Sequence, residues 1–308
     1  MSEAGLSVLT RLNLYQRERF PLARTSLLVL IFSAASVSVS AHLAGRPPPP
    51  WPPYAAAFVV TLFFFFQLRV LDEIKDGEDD RRYRPERPIP RGLVTLRLVV
   101  GIGLATVPIA IAACWAVDPR LLVLLGVVWG WMLLMAFEFF MGAWLRRRPF
   151  VYMGSHMLIM PAIDLLVTGF EWVPRGDAPG GLVLFLLLSF ANGCVLEIGR
   201  KLWAPENERP GVETYSGLLG PGRAAALWIG FVLVALALLL GVGFATGAPL
   251  ATGAIGMAAA CFAVRAGLRY RAQPSPAPQA TVDSAAGLWV FACYAGAGLA
   301  PFVGMVMR

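Results

Sequence analysis

Apolar residues in this chain come in long unbroken runs, without the spaced stripes of a surface helix or the alternation of a half-buried strand. A membrane-crossing helix needs about 20 mainly apolar residues. Nine stretches approach that length: 25–45, 54–71, 93–117, 121–142, 150–170, 181–200, 223–246, 248–269 and 285–306. The separators are turn-rich or charged. Residues 46–53 read Arg-Pro-Pro-Pro-Pro-Trp-Pro-Pro, which predicts a stiff extended link, and 273–279 read Gln-Pro-Ser-Pro-Ala-Pro-Gln, which predicts a flexible or polyproline-like tether. The pattern predicts an all-α multi-pass membrane protein. Nine transmembrane helices would surround a central cavity in a single domain over residues 25–308, after a basic arm over residues 1–24.

Composition agrees with the pattern. Of 308 residues, 57% are hydrophobic and 15% charged, with a mean hydropathy of +0.66. Soluble domains carry about 25% charged residues, so a soluble enzyme is excluded, and the apolar content excludes disorder. A formal charge of +7 in a soluble chain would suggest nucleic acid. Here the positive-inside rule accounts for it, and no nucleic-acid partner is expected. With the N-terminus inside, nine spans place 22 of the 26 Lys and Arg on one side and leave Arg46, Arg120, Arg175 and Arg308 on the other. The expected topology has a cytoplasmic N-terminus and an external C-terminus, in the cytoplasmic membrane. Residues 1–24, with Arg11, Arg17, Arg19 and Arg24, lack the apolar core and cleavage site of a signal peptide. Cys114, Cys194, Cys261 and Cys293 each stand alone, which suggests neither a disulfide framework nor a zinc site.

The acidic residues locate the candidate chemistry. Seven of 19 fall in 72–86 and four in 197–213, at the ends of the second and sixth stretches on the predicted inner side. Asp72, Asp76 and Asp80 follow at i, i+4 and i+8 and would share one helix face. Like charges so spaced repel, and stacked carboxylates beside a membrane mouth invite a cation. Oxygen ligands suit Mg²⁺, which uses one or two carboxylates together with substrate phosphates.

Asp72-Glu73-x-x-Asp76-x-x-x-Asp80, followed by Arg87-Pro-Ile-Pro-x-Gly92, resembles the first motif of the UbiA superfamily of intramembrane prenyltransferases. That family usually shows Asn-Asp-x-x-Asp-x-x-x-Asp and then Arg-Pro-(Ile/Leu)-Pro-x-Gly. Asp72 stands where the family has Asn, and Glu73 where it has Asp. The stretch Asn192 to Gly220 lies where the family carries a second acidic motif, and its Gly-Val-x-Thr-x-Ser-x-Leu-Leu-Gly run resembles the family's entry into the seventh span. Its acids are Glu197, Glu206 and Glu208 in place of aspartates, with Arg200 and Lys201 one turn after Glu197. Glu197 either serves the site or simply pairs with that basic couple.

The resemblance implies a membrane transferase that takes a prenyl diphosphate, holds its head on Mg²⁺, ionises the allylic C–O bond and passes the isoprenyl group to a lipophilic acceptor, aromatic or otherwise. It implies Mg²⁺ on Asp72, Asp76, Asp80, Glu197, Glu206 and Glu208, with Asp72, Asp76, Asp80 and Glu197 carrying the catalysis. Arg69, Arg200 and Lys201 would bind the diphosphate. Three alternatives share the scaffold: a membrane terpene cyclase, transfer of a phosphoribosyl group to a polyprenyl phosphate, and a non-catalytic lipid- or ion-binding protein or transporter.

Several other groups sit in apolar surroundings. Arg146-Arg-Arg148 lies where the family often has a Tyr…Lys-Arg element, with no tyrosine evident before it; three arginines after a span are equally topology anchors. Glu138, His156, Asp164 and Asn192 would face the bundle interior, because charge at mid-membrane costs about 2.5–3.5 kcal/mol. They would either contact an acceptor or carbocation or join helices by hydrogen bonds. Phe63 to Phe66 would face lipid or core, or shield a cation.

Overall fold

A computed structural model describes residues 5–302 of the chain. Among them the secondary structure is helical throughout, with no strand. A short helix α1 (Val8–Arg19) precedes α2 (Leu22–Leu43) and α3 (Trp51–Lys75). After α3 come α4 (Gly77–Tyr83), α5 (Leu96–Val117), α6 (Leu121–Ala136), α7 (Gly142–Arg146), α8 (Pro149–Met157) and α9 (Ile159–Trp172). The chain continues through α10 (Leu182–Arg200), α11 (Tyr215–Leu219), α12 (Pro221–Ala245), α13 (Pro249–Ala272) and α14 (Pro276–Gly298).

Seven of these segments are long and apolar enough to cross a membrane: α2, α3, α5, α8 with α9 as one span over Pro149–Trp172, α10, α12 and α13. Helix α6 is apolar but has only 16 residues, and α14, with 23 residues, is less apolar. The expected number of nine spans is therefore not established by length and composition, although the class, an all-α multi-pass bundle, is. Large apolar side chains such as Leu104, Val123, Phe244 and Leu250 point outward, as a lipid-facing surface requires.

The proline-rich links are shorter than their composition predicts. Only 46–50 run without helix before α3, and α14 begins at Pro276 inside the expected tether. Proline accounts for both: its fixed φ and missing N–H suit the first helical turn, where that N–H has no partner. Helices α12 and α13 start on Pro221 and Pro249 for the same reason.

Sequential helices pack as neighbours around the bundle, and α14 returns against α2 to close it. Trp228, Trp289 and Tyr270 fill the interior, their polar atoms bound to the Val195 carbonyl, Asn192 Oδ1 and the Trp203 carbonyl. Two acids inside the bundle act as ties. Asp164, fully buried, accepts from Ser36 Oγ at 2.7 Å and Tyr294 Oη at 2.6 Å, joining α2, α9 and α14. Glu171 accepts from Ser40 Oγ at 2.7 Å and lies 3.5 Å from both Arg46 and Arg175, closing the opposite end of the bundle. Asp164 and Asn192 thus take the helix-joining role.

Candidate active site

Two cavities meet at the end of the bundle where α3 and α10 terminate. The inner one, about 510 Å³, is an apolar chamber walled by α2, α3, α9, α10 and α14. Its aromatic wall includes Phe32, Phe65 and Tyr294; the Phe32 centroid lies 4.5 Å from that of Tyr294 and 5.9 Å from that of Phe65. The outer one, about 590 Å³, is a polar vestibule lined by seven basic and five acidic side chains. Arg19, Arg69, Asp72, Glu197 and Arg200 line both, so they form a charged ring where chamber becomes vestibule.

Local structure explains how the acidic string reaches this ring. Helix α3 ends at Lys75, Asp76 forms the join, and α4 follows at once. Backbone bonds from Asp76 N to Asp72 O and from Asp80 N to Asp76 O, both 2.8 Å, carry the helical ladder through the join. The three aspartates therefore stack one per turn, but they do different things. Asp72 is half exposed at the ring and pairs with Arg69. Asp76 lines the vestibule and makes no ion pair among the described residues. Burial, and then the charges of Asp72 and Asp80, push its carboxyl above the ordinary range.

Asp80 is buried behind the wall. Arg87 Nη1 reaches its two oxygens at 2.7 and 2.6 Å, and Arg84 Nη1 lies 3.3 Å away. Asp80 thus anchors the two arginines that line the vestibule. The Arg-Pro-Ile-Pro-x-Gly segment supplies the return: Gly92, at φ +81°, donates from its N–H to the Ile89 carbonyl and turns the chain into α5.

On the facing wall, Glu197 near the end of α10 receives Arg200 Nη2 at 2.6 Å on one oxygen and Lys201 Nζ at 2.8 Å on the other. All three line the vestibule. Glu206 and Glu208 do not line either cavity. Glu206 lies exposed in a single 3-10 turn, and Glu208 accepts from Thr214 Oγ1 and Ser216 Oγ, bracing the loop before α11. The structure thus places both on the loop after α10, outside the vestibule lining that Asp72, Asp76 and Glu197 share. Arg146 and Arg148 are also elsewhere, on Glu138 and the Trp144 ring.

Four vestibule residues, Arg19, Lys75, Tyr152 and His156, and Glu138 beside them, are not marked as site residues by the sequence pattern. Arg19 comes from α1, which docks through buried Tyr15 and a 2.6 Å contact from Arg19 Nε to Glu73. Lys75 Nζ bridges Tyr152 Oη at 2.7 Å and Glu138 at 3.1 Å. Glu138 reaches it from a left-handed turn in which residues 138, 139 and 140 all have positive φ. Tyr152 and His156 share one face of α8, their rings stacked at 3.9 Å. That i, i+4 spacing was the available signal. His156 Nδ1 lies 2.9 Å from the Tyr152 carbonyl oxygen, which only accepts, so Nδ1 carries the proton and Nε2 the lone pair of the neutral ring.

Among the described residues no three His, Cys, Asp or Glu side chains converge as a ready-made metal cage. Asp72 and Asp76 nevertheless fit Mg²⁺ of the kind completed by substrate phosphates: two adjacent oxygen donors open to the vestibule, one of them short of positive charge.

Residues 29–291, most of the chain, match the model of the UbiA prenyltransferase family. The chain belongs to that family. Solved structures agree at the level of fold. A structure described as a UbiA homolog from Aeropyrum pernix K1 superposes with a TM-score of 0.65 at 16% identity, covering 90% of this chain and 97% of that one. A digeranylgeranylglyceryl phosphate synthase structure gives 0.63 at 15% identity, covering 94% and 99%. No curated protein gives a significant sequence match. Family and helices together make this an integral membrane protein with a UbiA prenyltransferase fold.

Proposed function

We propose that the protein transfers an isoprenyl group from a prenyl diphosphate to a lipophilic acceptor within the membrane, with Mg²⁺ as cofactor. The observation that carries this reading is the shared charged ring. An amphiphile with an apolar tail and a multiply charged anionic head has matching surroundings on either side of Arg69, Asp72, Glu197 and Arg200.

The tail lies in the apolar chamber and the diphosphate in the vestibule. Asp72 and Asp76 hold the metal, which when bound neutralises charge on the leaving diphosphate. Arg19, Arg69, Arg200 and Lys201 bind phosphate oxygens, guanidinium groups by planar forks and the ammonium as a point charge. Glu197 orients Arg200 and Lys201, and Asp80 orients Arg84 and Arg87. These fixed cations stabilise the charge that develops as the allylic C–O bond breaks. The chamber keeps water from the cationic fragment until the acceptor captures it. The vestibule faces the cytoplasm, as the distribution of Lys and Arg favours.

The test is turnover by the purified protein in lipid nanodiscs with Mg²⁺, a panel of prenyl diphosphates, and a membrane lipid extract as acceptor source. Diphosphate release that requires both Mg²⁺ and extract supports transfer, and Asp76→Asn should lower it roughly 100-fold. Release without extract would favour cyclisation. No release from any donor would remove the transferase reading.

A further inference from the structure

The ring and vestibule supply groups for the departing diphosphate, but the capture step needs one more. An acceptor that attacks through a hydroxyl must lose its proton, and besides the departing diphosphate a basic group on the wall can take it. The two carboxylates whose charges act on the imidazole of His156 are both engaged. Glu197 has an oxygen on each of Arg200 and Lys201, and Glu138 has one on each of Lys75 and Arg146.

His156 differs from them. Its ring lines the vestibule, the residue is 9% exposed, and Nε2 has no hydrogen-bond partner. The contact from Nδ1 to the Tyr152 carbonyl fixes the tautomer so that this unpartnered atom is a lone pair. Tyr152 stacks on one face of the ring, and Phe139 packs edge-on at 5.8 Å from the left-handed turn. A buried acceptor atom without a donor is costly, and a substrate hydroxyl would supply the donor that the protein lacks.

Position supports the same role. Gly193 of α10 lets α8 and α9 come close: a Cβ there would lie 2.9 Å from Met160 Cγ and 3.3 Å from Met157 Sδ. Met157, next to His156, lines both cavities, as does Glu197 one turn beyond Gly193. The imidazole therefore stands beside the junction where tail and head of the donor would meet.

We infer that His156 is the general base of the transfer step and that the acceptor attacks through a hydroxyl group. This rests on the transferase reading above. The C1–O bond of the prenyl diphosphate breaks, and its electron pair leaves with diphosphate. A lone pair of the acceptor oxygen forms the new bond to C1. The hydroxyl proton passes to His156 Nε2, giving an imidazolium that later yields the proton to water in the vestibule. The charged groups that act on the ring are Lys75 at the end of α3, Glu138 in the left-handed turn and Glu197 of α10.

His156→Asn tests this, because its amide can still donate to the Tyr152 carbonyl while Nε2 is gone. Donor binding and diphosphate release are measured with Mg²⁺ and the lipid extract, and the extract is then replaced by a long-chain alcohol or by its methyl ether. The variant should bind prenyl diphosphate and unfold as wild type does. It should lose about 100-fold in transfer and lack the acidic limb of the wild-type kcat/KM profile. Unchanged transfer, or a parallel loss of donor binding, would overturn the assignment. With two histidines in the chain, ¹⁵N-histidine spectra give an independent readout. The alcohol should shift the His156 Nε2 resonance and the methyl ether should not; equal responses would also overturn it. If wild type releases no diphosphate from any donor, the transferase reading fails first, and that outcome is distinct from a failure at His156.

Discussion

Asp80 shows how a motif residue can matter without touching a ligand. Its oxygens are occupied by Arg87 and Arg84, and only 2% of its side chain is exposed. Removing one member of such a buried pair leaves the other charge uncompensated. Asp80→Asn should therefore cost about 3 kcal/mol in reversible denaturation in mixed micelles. Combining it with Arg87→Met should recover part of that loss, and a single variant as stable as wild type would contradict the anchoring role. Spacing made Asp72, Asp76 and Asp80 visible in the sequence as a stacked set, and the helical ladder does run through all three. Spacing alone does not separate their roles, because the arginines that claim Asp80 lie in the turn beyond α4. His156 and Tyr152 were visible only as polar residues in an apolar run. Lys75 and Glu138 meet them through a left-handed turn that periodicity does not reveal.

At the scale of elements, the N-terminal helix was the least legible part. Its arginines read as a basic arm, yet α1 folds back on the end of α3 and delivers Arg19 to both cavities. Contacts so distant in sequence, such as Arg19 with Glu73 and Arg91 with Glu18, leave no local signature. Hydrogen bonds from Arg91 hold the Glu18 carboxyl below its ordinary value of 4.5. A carboxylate whose pKa is lower when docked stabilises the docked state above its undocked pKa, and that contribution fades as pH falls through the docked one. Amide protection over residues 8–19, taken relative to the intrinsic exchange rate at each pH, should therefore be high at neutral pH and fall in acid. Glu18→Gln should show faster exchange already at neutral pH, by a few-fold because the pair is partly exposed. Protection indifferent to both acid and substitution would contradict this docking. Elsewhere the long apolar runs located the major helices well, since lipid demands continuous helix. Their ends moved where proline started a helix inside a predicted link.

On the scale of the whole molecule, the helices enclose one apolar chamber that opens through a charged ring into one polar vestibule. The sequence places the acids and bases at the ends of α3 and α10, but that these ends face each other follows from closure of the bundle by α14 on α2. The loop after α10 turns back toward α11 with Glu208 as a brace, and this leaves Glu206 and Glu208 outside the two cavity linings. The central claim is that an isoprenyl tail lies in the chamber while its diphosphate head rests in the vestibule. Its most direct test is photo-crosslinking in nanodiscs with a prenyl diphosphate carrying a diazirine at the far end of its tail, mapped by peptide mass spectrometry. The account predicts Mg²⁺-dependent labelling of chamber residues on α2 and α14, such as Phe32, Phe291 and Tyr294, competed by unlabelled prenyl diphosphate. Labelling confined to the lipid-facing surface, or to vestibule residues such as Tyr83 and Trp203, would contradict it.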